Sequence, residues 1–130
     1  MAHSVGIVLV SHSALLAHGL REVIAQLASD DLPVETAGGT DDGRLGTSYE
    51  LVREAVARAD RGAGVVVLAD LGSAVLTART VLEDHPSEDV VLVDAPLVEG
   101  AVAAAVLAAT GADLAAVAAA ASEARAARKL

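Results

Sequence analysis

Two uninterrupted apolar runs constrain this chain more than any other feature. Val5-Gly6-Ile7-Val8-Leu9-Val10 and Val65-Val66-Val67-Leu68-Ala69-Asp70 show no alternation of polar and apolar residues. A strand that is apolar on both faces is covered on both faces, which is the condition of a central strand in a parallel sheet. Each run passes through a few polar residues into a segment with helical periodicity. After the first, Ala14–Ser29 places Leu16, Leu20, Val23, Ile24 and Leu27 on one face at helical spacing. With no Phe, no Trp and one tyrosine (Tyr49), the core is built from Val, Leu, Ile and Ala, whose small side chains let helices lie close against a sheet.

The remaining segments continue the alternation. Asp30-Asp31-Leu32-Pro33 ends the first helix, and Val34-Glu35-Thr36 reads as a short strand and a candidate sheet edge. Gly38-Gly39-Thr40-Asp41-Asp42-Gly43 is a loop with several residues able to take positive φ. A helix follows from Thr47 to Asp60, with Thr47 or Ser48 as its N-cap and Glu50 placed for a capping box from Thr47. Gly72-Ser73 opens a third helix that ends near His85-Pro86, and Val90–Asp94 is the fourth strand. Two Ala-rich helices, Leu97–Ala109 and Ala112–Lys129, are separated at Gly111. Arg125, Arg128 and Lys129 suit the C-terminal dipole of the last one. The pattern βαβαβαβαα predicts one α/β domain over residues 1–130, a doubly wound, mainly parallel sheet with helices on both faces.

Composition removes several function classes. The net charge is −9, with a single lysine and no basic stripe, which excludes nucleic acid as the expected partner. The absence of cysteine removes disulfides and thiolate metal sites, and no metal or cofactor is expected. The N-terminus lacks the basic region and cleavage site of a secretory signal. The longest apolar stretch, Ala101–Ala109, is too short to span a bilayer. The expected compartment is therefore the cytoplasm, with no membrane partner.

Chemistry concentrates where strands end. Ser11-His12-Ser13 lies between the first strand and the first helix, where backbone amides and a helix dipole converge on anions. His3, His18 and His85 read as solvated surface residues. His12 has two readings: a helix cap, which the flanking serines perform better, or a reactive imidazole. Asp70 ends the third strand beside it. A carboxylate there fixes the imidazole tautomer and leaves the other ring nitrogen free for attack, although Asp70 also suits an N-cap of the next helix. Ser13 and Leu71-Gly72-Ser73 supply amides and hydroxyls at helix N-termini, and Gly39, Thr40 and Thr47 form a possible facing wall. No Walker A pattern, no GxGxxG after the first strand and no early acidic pair for Mg²⁺ is present, which weakens nucleotide-binding and receiver-domain readings.

Four blocks carry a resemblance: Val10–Ser13, Gly43–Ser48, Ala69–Val75 and Asp94–Ala101. Together, and in this order, they resemble the phosphocarrier subunits of phosphotransferase-system (PTS) dependent dihydroxyacetone kinases, which share the mannose-type enzyme IIA fold. The resemblance covers nearly the whole chain. It implies a flavodoxin-like sheet of order 2-1-3-4, a homodimer, and a phosphorylated histidine at His12. Asp70 would orient that imidazole, while Gly72 and Ser73 would cradle the phosphoryl group. It implies HPr as phosphoryl donor, with ADP on the kinase's nucleotide-binding (DhaL-type) subunit as acceptor. Some relatives fuse HPr-like and enzyme-I-like domains behind this one; with the chain stopping at Leu130, these are expected to be separate proteins. The lack of a linker to a IIB domain favours the kinase branch. The alternatives are a IIA component for sugar uptake, a module that binds partners according to its phosphorylation state, and a small-ligand-binding flavodoxin-like domain in which His12 is structural.

Overall fold

The computed structural model describes residues 3–130. Its strands β1 (Gly6–Ser11), β2 (Val34–Gly38), β3 (Val65–Ala69) and β4 (Val90–Leu92) form one sheet of order β2-β1-β3-β4, parallel throughout. Helices α1 (Ala14–Leu27), α2 (Tyr49–Ala59), α3 (Gly72–Asp84), α4 (Leu97–Ala108) and α5 (Leu114–Glu123) connect or follow the strands, and a short 3₁₀ turn spans Ala124–Ala126.

The two continuous apolar runs became the two inner strands, and the pleat divides their side chains between separate cores. Ile7, Leu9, Val66 and Leu68 face α1, α4 and α5 through Leu20, Ile24, Ala101, Ala105 and Val117. Val8, Val10, Val65 and Val67 face α2 and α3 through Val52, Ala55, Ala74, Ala78 and Val81. Alanine recurs on every helix face that meets the sheet. Close approach is also visible at Gly6, where an added Cβ would lie 2.1 Å from the Ala59 carbonyl oxygen.

Several sequence expectations are corrected. The first helix buries only Ala17, Leu20 and Ile24; Leu16, Val23 and Leu27, expected on the same inward face, are exposed. The second helix starts at Tyr49, capped by Ser48, whose hydroxyl accepts from Leu51 N. The capping box from Thr47 does not form: Thr47 hydrogen-bonds Thr77 on α3, and Glu50 pairs with Arg53. The last helix stops at Glu123 rather than reaching Lys129. Its basic residues turn back instead, Arg125 to Asp94 and Lys129 to Glu99 on α4. Pairing across to α4 and to the segment before it replaced the helix-dipole interaction that local sequence suggested.

From β1 the chain moves outward to β2, and from β3 it moves outward to β4. The order therefore reverses between β1 and β3. In open α/β sheets the crevice beyond the strand carboxyl ends at such a reversal collects ligands and chemistry. His12 and Asp70 follow these two strands directly.

Candidate functional site

Ser11 ends β1, and His12 occupies the step before Ser13 caps α1, its hydroxyl accepting from Leu16 N at 3.3 Å. His12 is therefore not the helix cap. Its side chain retains 27% exposure, against 14% for Asp70. The register Val10↔Ala69 brings the two strand ends level, and Asp70 N donates to Val10 O at 3.1 Å.

Asp70 is the hub of the site. Its Oδ1 lies 2.9 Å from His12 Nδ1 and accepts from Leu71 N at 2.7 Å. Its Oδ2 accepts from Ser11 Oγ at 2.8 Å and from His12 N at 3.0 Å. An ionised carboxylate only accepts, so His12 Nδ1 carries the hydrogen and Nε2 carries the lone pair. Partial burial works to raise the Asp70 pKa. The hydrogen bonds from His12, Ser11 and Leu71 outweigh that burial and hold it below the ordinary 3.8. Asp70 does not cap α3, whose N-cap position is Leu71 and makes no side-chain capping bond.

His12 Nε2 is met by the Ser73 hydroxyl in the first turn of α3. The N–H groups of Gly72, Ser73 and Ala74 open that helix and have no intrahelical acceptor, while Val75 N already bonds Leu71 O. The Ser73 contact puts Nε2 against the first turn of a helix, an end of the helix that favours anions. The Leu71 amide, expected to help there, is spent on Asp70. The Ser13 Oγ accepts from Leu16 N in capping α1, which leaves its O–H to donate.

The wall proposed from Gly39, Thr40 and Thr47 is only partly assembled. Gly38 belongs to β2 and lies against α1, where an added Cβ would meet Ala14 Cα at 2.6 Å. Gly39 takes φ +74° and donates to Ser11 O, turning the chain back over the site. Thr40 organises its own loop, pairing with Asp42 and accepting from Arg44 N. Gly46 N donates to His12 O at 2.9 Å, which ties that loop to the histidine backbone. Thr47 bonds Thr77 at 3.0 Å, joining the loop to α3.

Ser11 was missed as a site residue. It is the buried polar residue among those described, with 0% exposure, and its Oγ also accepts from Ser13 N at 3.1 Å. The available signal was a hydroxyl at the last position of an otherwise apolar buried strand. Of the other histidines, His3 and His18 are exposed, and His85 lies 3.2 Å from the Tyr49 hydroxyl.

A parallel sheet of this order, with an imidazole and a carboxylate paired at its reversal point, defines a class of flavodoxin-like domains. The family model described as PTS system fructose IIA component (EIIA-man) matches residues 6–118, and the chain belongs to this family. It is 41% identical over 105 residues to the phosphoryl donor subunit DhaM of PEP-dependent dihydroxyacetone kinase 2 from Listeria innocua. That alignment covers 78% of this chain and 84% of the relative. The DhaM phosphoryl donor subunit of Escherichia coli is 43% identical over 116 residues, covering 85% of this chain and 25% of the longer relative. Among solved structures, that of the protein of unknown function EF1359 superposes with a TM-score of 0.85 at 37% identity, covering 98% of both chains.

Proposed function

We propose that this chain is a phosphohistidine carrier, the phosphoryl donor subunit of a PTS-dependent dihydroxyacetone kinase. The observation that carries the reading is the orientation of His12: Asp70 holds Nδ1 at 2.9 Å, and Nε2 faces the opening turn of α3. The names of the relatives, phosphoryl donor subunits of PEP-dependent dihydroxyacetone kinases, support the same role.

In this reading Ser73 releases Nε2 as a phosphohistidine of HPr approaches. The Nε2 lone pair attacks phosphorus in line, the new P–Nε2 bond forms, and the P–N bond to the donor imidazole breaks with its electron pair returning to that ring. Nδ1 keeps its hydrogen. The ring becomes imidazolium-like, and the Asp70 carboxylate stabilises the charge. Gly72, Ser73 and Ala74 donate to the phosphoryl oxygens. The second transfer, to ADP on the nucleotide-binding subunit, reverses these roles. No nucleotide or metal takes part on this chain. The domain works in the cytoplasm as a homodimer, with residues 1–130 as a single unit.

The test is mass spectrometry after incubation with phosphoenolpyruvate, enzyme I and HPr, followed by transfer to ADP-loaded nucleotide-binding subunit and assay of dihydroxyacetone phosphate. A phosphoryl group on His12, placed on Nε2 by ³¹P NMR and absent from His12→Ala, supports the reading. An unmodified wild-type His12 removes it. Analytical ultracentrifugation checks the dimer.

A further inference from the structure

The loop between β2 and α2, residues 39–48, is folded on itself and fastened to the molecule on two sides. Within it, Thr40 N donates to Arg44 O at 2.9 Å, Gly43 N to Thr40 O at 3.0 Å and Arg44 N to Thr40 Oγ1 at 3.1 Å. The Ser48 hydroxyl donates back to Asp41. Two amides fasten this unit to the strand end that carries the histidine: Gly39 N donates to Ser11 O at 3.0 Å and Gly46 N to His12 O at 2.9 Å. The next residue, Thr47, fastens it to α3, its Oγ1 lying 3.0 Å from Thr77 Oγ1.

Local sequence offers the Thr47 hydroxyl a capping role, but Ser48 caps α2 and Glu50 pairs with Arg53. Both threonines are half-buried, which shelters their bond from competing water. Thr77 stands four residues after Ser73, one turn further along the same face of α3. Ser73 is the residue whose hydroxyl meets His12 Nε2.

These contacts close a ring. From His12 O it passes through Gly46 and Thr47 to Thr77, along one turn of α3 to Ser73, and back to the imidazole at Nε2. A second connection runs through Asp70, which holds Nδ1 and the Leu71 amide. Asp70 decides which nitrogen is free. A small rotation of α3 about its axis, hinged at Leu71, would keep the Asp70 bonds and still swing the Ser73 face away from Nε2. Helix α3 meets the sheet largely through Ala74 and Ala78, whose single methyl groups interlock little against such a rotation. The threonine bond opposes it on the face that carries Ser73.

We propose that Thr47 and Thr77 are positioning residues for phosphoryl transfer: their hydroxyl pair, joined through Gly46 to the His12 carbonyl, fixes the gap between Nε2 and the opening turn of α3 in which the phosphoryl group is held. This rests on the carrier reading above and adds to it two residues that act through His12 and Ser73.

Four variants of the full chain test it: Thr47→Val, Thr77→Val, the two combined, and Thr47→Ser. The readouts are Tm, the rate of His12 phosphorylation per folded molecule over a range of phosphorylated HPr concentrations, and the ¹⁵N shift of Nε2 in the unphosphorylated ring. Each valine variant should lower the limiting rate about tenfold, as expected for a sub-ångström misplacement of reacting groups. The half-saturating HPr concentration should stay within about twofold, since the pair acts on the transfer step rather than on partner binding. The double variant should be no slower than the slower single one, because both changes remove the same bond. Thr47→Ser keeps the hydroxyl and should stay within about twofold of wild type. The Nε2 shift, which reports the contact with Ser73, should move in the valine variants and return in Thr47→Ser. Unchanged limiting rates, an unmoved Nε2 shift, or a Thr47→Ser variant as slow as Thr47→Val each overturns the proposal. A wild-type chain that acquires no phosphoryl group on His12 sinks the carrier reading instead, and the Nε2 shift, which needs no donor, keeps the two failures distinguishable.

Discussion

Replacing Ser11 by alanine tests the electrostatic account of the site most directly. The hydroxyl is fully buried, donates to Asp70 Oδ2 at 2.8 Å and accepts from Ser13 N at 3.1 Å. Alanine preserves the strand and removes both bonds. A hydrogen bond to a charged acceptor contributes about 1.5–3 kcal/mol and one between neutral groups about 0.5–1.5 kcal/mol. The expected loss at neutral pH is therefore about 2–4.5 kcal/mol. The two parts respond differently to acid. The native pKa of Asp70 lies below its ordinary 3.8, so the stability tied to the ionised carboxylate is complete above that value. It is lost as pH falls through the lowered native value. The Ser13 part does not titrate. Urea denaturation at neutral pH and again at a pH of about 3 should show the difference between wild type and Ser11→Ala shrinking in acid. NMR titration of the Asp70 carboxyl in the variant should move back toward 3.8. An equal loss at both pH values, or an unmoved Asp70, refutes the reasoning.

Other expected outcomes follow from the same geometry. Asp70→Asn should slow phosphoryl acceptance by about 10²-fold or more, because the amide no longer dictates the Nδ1–H tautomer; rapid-quench phosphorylation and ¹⁵N shifts of the His12 ring check this. Gly38→Ala forces a Cβ to within 2.6 Å of Ala14 Cα, so it should cost about 1–3 kcal/mol and also slow His12 phosphorylation by displacing the start of α1. Ile24→Ala removes a side chain that is 1% exposed in the α1–α4–α5 core and should cost about 2–5 kcal/mol by denaturant unfolding, with the phosphorylation rate per folded molecule retained.

Legibility in the sequence followed the range of the interactions. The inner strands were readable because burial on both faces leaves an uninterrupted apolar run that no helix surface requires. Helix α3 was readable from its glycine-serine start, and the partnership of His12 with Asp70 from their matching positions after strands. Leu16, Val23 and Leu27 were misassigned because helical periodicity reports a wide apolar arc, whereas the sheet and α4 cover only the part holding Leu20 and Ile24. Of the two cap candidates, Ser48 caps α2, and the capping box from Thr47 fails because that hydroxyl bonds Thr77, 30 residues away.

Residue order along the chain determined the alternation of strands and helices, the aromatic-poor core and the placing of a histidine and an aspartate at strand ends, since each depends on neighbours within a turn or a strand length. The tertiary structure alone decided the chemistry at those ends. Only the β1–β3 register turns Asp70 toward Nδ1 and assigns Ser11 to Asp70 rather than to solvent. The physical reason is that hydrogen bonds are short-ranged and directional. Which donor meets which acceptor is set by the packing of segments 58 or more residues apart in sequence.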